Sequence, residues 1–84
     1  MQQLELDFPL IWEYKIIALH TDDVHASLDA IRLRHGCAEP VVRGNQSSSG
    51  KYATYTVRTY VHSREHMETI AAAFGQCPGV RYLL

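Results

Sequence analysis

The side chains with chemical reach in this sequence are five histidines, two cysteines, a run of three serines and a stretch in which tyrosines alternate with arginine and threonine. His20, His25, His62 and His66 occupy matching positions, each pair spanning the join between a predicted strand and the helix that follows it. Neutral imidazole ligates zinc and titrates near neutrality, so a cluster of four would serve as a metal or pH-sensing site. Parallel first and third strands would bring all four to one end of the domain. Strand alternation, however, points His20 with Tyr14 and Ile16 and turns His62 to the opposite face, and no cysteine stands near either in sequence. The expectation is solvated histidines at helix starts and no metal. Cys37 and Cys77 each follow a predicted helix C-terminus, which places them at a common end of the domain, yet neither sits in a CxxC pair. Two ordinary thiols in a reducing compartment are expected. Ser47, Ser48 and Ser49 have no histidine nearby in sequence, so they read as a polar turn. No catalytic residue and no cofactor are predicted, and the chain is not expected to be an enzyme.

Composition narrows the remaining classes. Eighty-four residues make one domain with a single modest core and little room for an enclosed active site. Eight basic and nine acidic residues leave a formal charge of −1, without the basic field that draws a domain onto nucleic acid. No apolar run approaches the roughly 20 residues needed to span a bilayer. With no charged and apolar leader and only two cysteines, the expected location is the cytoplasm.

These side chains depend on elements that the hydropathy pattern outlines. From Lys51 onward Ala53, Tyr55, Val57, Thr59 and Val61 form one row and Tyr52, Thr54, Thr56, Arg58, Tyr60 and His62 the other, a long central strand entered through the Ser47–Gly50 hairpin. Residues 1–10 read as a flexible N-terminal arm and 11–84 as the domain. Ile11 to His20 is a first strand with Trp12, Tyr14, Ile16 and Ala18 on one row. Thr21 caps a helix carrying Val24, Leu28, Ile31 and His35, with Gly36 after its end; Pro40 to Asn45 is a short edge strand. Ser63 caps a second helix with a Met67, Ile70, Ala71 and Phe74 stripe closed by Gly75, and Val80 to Leu84 is a last strand with Val80, Tyr82 and Leu84 inward. The order βαββαβ predicts an α+β, ferredoxin-like sandwich: a four-stranded antiparallel or mixed sheet, both helices on one face, first and third strands adjacent and parallel in the centre.

Several of these features carry a resemblance. Phe8-Pro9, Tyr14-Lys15-Ile16, Ser48-Ser49-Gly50-Lys51-Tyr52 and Pro78-Gly79-Val80, in this order and spacing, resemble the YbeD-like family of small uncharacterised bacterial proteins. The resemblance implies an ACT-like ferredoxin fold, as in regulatory domains that bind amino acids, and the loose lipoic-acid-binding label of such families implies a tie to lipoate metabolism. It transfers no site residue. The chain departs from ACT domains in the loop His20-Thr21-Asp22-Asp23, where they usually carry a glycine.

The residues themselves direct attention to the sheet face left uncovered by the helices. That face is predicted to show Ile17, Leu19, Tyr52, Arg58, Tyr60, Arg81 and Leu83, and aromatic, aliphatic and arginine side chains together compose an interface core. The reading that follows is a regulatory or adaptor module that binds a protein partner, a second copy of itself as a homodimer, or a small metabolite. The alternative is a nucleic-acid-binding domain using the same face. Against it stand the near-neutral charge and the spacing of Tyr52 and Tyr60, which lacks the exposed aromatics two residues apart of an RNA-recognition motif.

Overall fold

The computed structural model describes residues 6–84. Its elements are β1 (Leu10–Leu19), α1 (Asp22–Arg34), β2 (Val42–Gln46), β3 (Tyr52–Val61), α2 (Arg64–Gly75) and β4 (Val80–Leu83). The period-two rows decide which way each strand faces. Tyr14, Ile16 and Ala18 of β1 and Ala53, Tyr55, Val57, Thr59 and Val61 of β3 are all buried. Val24, Leu28 and Ile31 of α1 and Met67, Ile70 and Phe74 of α2 complete the core from one side of the sheet. Each helix opens on a hydroxyl cap: the Val24 N–H donates to Thr21 Oγ1 at 3.1 Å and the His66 N–H to Ser63 Oγ at 3.0 Å. Gly36, at φ +74°, follows α1 in the left-handed conformation expected there, whereas α2 runs through Gly75 and is capped by Gln76.

The four strands lie in the order β2-β3-β1-β4, and every neighbouring pair is antiparallel. The ferredoxin-like arrangement is as expected, but the parallel pairing of β1 with β3 is not. The crossover through α1 makes β1 and β2 parallel to each other, the serine hairpin then reverses the chain, and β3 enters between them running the other way. That reversal separates residues the parallel reading had gathered. Leu19 pairs with Tyr52 at one end of the sheet and Leu10 with Val61 at the other. His20 and His25 therefore lie at the Leu19 end, and His62 and His66 at the Leu10 end. The two helices likewise end at opposite ends of the sheet, so Cys37 and Cys77 do not share one; both are free and buried, and burial pushes the Cys77 thiol up.

Three further differences have local causes. In β4 the register against β1 shifts, with Ile17 opposite Tyr82 but Ala18 opposite Val80, so Arg81 is an extra, bulged residue. The bulge exchanges the two faces beyond it: Leu83 packs against the core, while Tyr82 and Leu84 are exposed. The arm is not wholly loose, because Leu6, Phe8 and Leu10 pack against the core, and Met1 to Glu5 lie outside the described residues. β2 begins at Val42 and not at Pro40, because Pro40 has no N–H with which to extend the pairing to β3.

Tyr14 and Phe74 join the two layers. Their ring centroids are 5.6 Å apart, and the Tyr14 hydroxyl donates to the Met67 carbonyl at 2.7 Å. Burial, and secondarily the Cys37 thiol, pushes that phenol up to about 12, so it is a permanent donor. Phe74→Ala would empty a fully buried ring site and should cost about 3–5 kcal/mol in urea unfolding; an unchanged midpoint would contradict the packing of α2. Gly79 tests the turn into β4. It sits at φ +94°, and a Cβ there would lie 2.8 Å from Val24 Cγ2. Gly79→Ala should therefore destabilise by about 2–4 kcal/mol, combining left-handed strain with overpacking, and a loss below about 0.5 kcal/mol, the scatter of surface substitutions, would refute the close approach.

Candidate functional site

The face opposite the helices carries the outward rows of all four strands. β1 contributes Ile11, Glu13, Lys15 and Ile17, and β3 contributes Tyr52, Thr54, Thr56, Arg58 and Tyr60, with Val42 and Tyr82 from the edge strands. In register, Ile11 stands opposite Tyr60, Glu13 opposite Arg58 and Ile17 opposite Thr54. Of the seven residues predicted for this face, Arg58 and Tyr60 are exposed on it and Ile17 and Tyr52 are half-buried. Arg81 holds its guanidinium carbon 5.8 Å from the Tyr52 ring centroid, and Lys51 Nζ lies 5.5 Å from the same ring. Leu19 is half-buried against the core, and Leu83 is on the other face altogether, removed by the Arg81 bulge. Ile11, Val42 and Tyr82, each 59–60% exposed, were missed. Ile11 was within reach of the sequence, since it shares the parity of Glu13 and Ile17; Tyr82 was not, because a bulge leaves no mark in the hydropathy.

At the Leu10 end the face runs into a cluster of rings. Tyr60 meets His62 edge-on at 5.2 Å, and His62 stacks on His66 at 5.1 Å. The His62 N–H donates to His66 Nδ1 at 3.1 Å, so the neutral His66 ring carries its proton on Nε2. A cleft of about 400 Å³ opens beside them, lined by His35, Glu39, Arg58, Tyr60, His62 and His66 among others. The other two histidines are engaged elsewhere: His20 Nδ1 is 3.2 Å from the Gly50 carbonyl, and His25 Nε2 is 3.0 Å from the Val41 carbonyl with its ring edge-on to Tyr55. Among the described residues no group of three His, Cys, Asp or Glu is placed to hold a metal ion. The serines close the hairpin, with the Tyr52 N–H donating to Ser47 Oγ and the Lys51 N–H to Ser49 Oγ.

A family model described as "Protein of unknown function (DUF493)" matches residues 3–84. The chain belongs to this family. Relatives include a UPF0250 protein of Shewanella loihica, 29% identical over 79 residues and covering 94% of this chain and 90% of its own. A UPF0250 protein of Haemophilus ducreyi is 25% identical with 94% and 81% covered. These agree with the YbeD-like resemblance carried by the turn motifs. In three dimensions this DUF493 chain is similar to the solution structure of HP0495 from H. pylori, with a TM-score of 0.85 at 19% identity over 99% of this chain and 89% of that one. It is also similar to the C-terminal domain of the MgtC protein from Mycobacterium tuberculosis, at 0.72 and 14% identity over 96% and 89%. At such identities both likenesses establish the fold alone.

One polar brace of the DUF493 chain went unforeseen. Asp29 Oδ1 accepts from Arg32 Nε at 2.7 Å and from the Val41 N–H at 3.2 Å, and Arg32 Nη1 donates to the Cys37 carbonyl at 3.2 Å. Together they fasten the loop after α1 to the helix. The Arg32 hydrogen bond, then the Val41 N–H, hold the Asp29 carboxyl below its ordinary range. A lowered folded value means the stabilisation is complete above the unfolded carboxylate range and is lost as pH falls through the folded value. Wild type should consequently lose more stability between pH 6 and pH 3 than Asp29→Asn does. Parallel pH profiles of the urea midpoint for the two proteins would show that the brace contributes nothing.

Proposed function

We propose that this protein works by binding, as a regulatory or adaptor module whose open sheet face receives a partner, with Tyr60 and Arg58 at the centre of contact. The observation that carries this reading is the company kept on that face. Tyr60, Ile11, Val42 and Tyr82 are all more than half exposed, and Arg58 stands among them on the two central strands. A merely solvated strand favours small polar or charged side chains, whereas tyrosine and arginine are the types whose truncation most often weakens an interface. A protein partner suits the breadth of the face better than a small metabolite, because the exposed groups are spread over four strands and do not converge on one enclosed cavity.

Tyr60→Ala combined with Arg58→Ala should leave the fold intact, since neither side chain reaches the core, and should abolish retention of the partner recovered from native lysate by the wild type. A folded double variant that retains every wild-type partner would remove the face from consideration. A salt-dependent shift with single-stranded RNA, lost in the same variant, would replace the protein partner with nucleic acid.

A further inference from the structure

β3 is ten residues long, yet β2 covers only its first half, and the pair Val42–Thr56 is the last on that side. Backbone parity shows which groups are left over. The Ser47 N–H donates to the Tyr52 carbonyl at 2.8 Å on the β2 side, while the His20 N–H donates to the Lys51 carbonyl at 2.9 Å on the β1 side. Alternation from Tyr52 then directs the N–H and C=O of Arg58 and Tyr60 toward the β2 side. Among the described residues no backbone group pairs with them there, and His62, next in the same row, is satisfied by His66. The cause lies in one residue of the approaching chain. Pro40, which would stand opposite Arg58, has no N–H to give, so the ladder ends at Val42.

This free edge borders the cleft described above, whose far wall is the loop from His35 to Glu39. A walled cleft admits one extended chain. It suits one chain better than β3 of a second copy, which carries β1 along its other side and needs the width of two strands. Charge narrows the occupant further. Arg58 and Glu39 are the charged side chains that line the cleft, and among the described residues Arg58 forms no ion pair even though Glu13 stands across from it, which leaves a cation open to a carboxylate from outside. From these observations we infer that the Arg58–Tyr60 edge takes an extended acidic segment of a partner protein as an added strand. Main-chain hydrogen bonds to Arg58 and Tyr60 supply affinity, and a carboxylate beside Arg58 on the open face supplies specificity. The inference rests on the open face being the binding surface and names what binds at one end of it.

The test is selection of random seven-residue peptides displayed on phage against the full-length protein, followed by amide hydrogen exchange with the best peptide. Enriched sequences should carry Asp or Glu at alternate positions, and exchange at the Arg58 and Tyr60 amides should slow about tenfold or more on binding. A version N-methylated along one edge should fail to bind, and Arg58→Ala should weaken binding about tenfold for the acidic peptide but little for its amide counterpart. No enrichment, enrichment without acidic residues, or protection confined to other amides would overturn the inference. So would concentration-dependent protection of the two amides in the peptide-free protein, which would assign the edge to a second copy. The two readings separate in one further comparison. If Ile17→Glu with Tyr82→Glu abolishes capture of the natural partner while the Arg58 and Tyr60 amides exchange freely in the complex, the face stands as the binding surface and the edge does not.

Discussion

The antiparallel ladder between β1 and β3, unbroken from Leu10–Val61 to Leu19–Tyr52, is the constraint on which the other elements depend. It aligns Tyr14, Ile16 and Ala18 with Val57, Tyr55 and Ala53, giving both helices a continuous apolar floor. A slip of one residue would turn every one of those side chains to the opposite face. α2 is fixed to this floor through Phe74 and the Tyr14–Met67 hydrogen bond, and α1 through Val24, Leu28 and Ile31. The Tyr55 hydroxyl adds a tie along the ladder by donating to the Leu19 carbonyl at 2.8 Å.

The edge strands are shorter than the pair they flank, and that inequality gives the molecule two unlike ends. Near Leu19 the sheet is four strands wide and the helix-capping and hairpin contacts are dense. Near Leu10 it narrows to β1 and β3, with Arg58, Tyr60, His62 and Ile11 displayed around the cleft. Large amphipathic side chains thus collect where backbone pairing is thinnest. Among the described residues no helix is long and apolar enough to cross a membrane.

Period-two alternation was legible wherever strands stayed regular, which is why the buried rows of β1 and β3 and the exposure of Arg58 and Tyr60 follow directly from residue order. Helix limits were legible for a different reason: Thr21, Ser63 and Gly36 each satisfy a local backbone requirement. Side-chain alternation is identical for parallel and antiparallel neighbours, but the order of connections, a crossover through α1 and then the serine hairpin, already runs β3 against β1. The expected parallel pairing misread that order, and the histidine cluster was lost with it. Leu83 and Tyr82 exchanged places through one bulged arginine, and the Asp29 brace joins residues twelve apart whose types alone do not announce a contact.

The wall that narrows the cleft also bears on solubility. An uncovered strand edge is a template on which other sheets can grow, and proteins commonly shield such edges with charges or with a covering loop. Here the loop from His35 to Glu39 performs that office over Arg58 and Tyr60, held in place by the Asp29–Arg32–Val41 contacts. The brace therefore guards against edge-to-edge aggregation at a strand the fold leaves unpaired, a service that a measurement of folding free energy alone would not register.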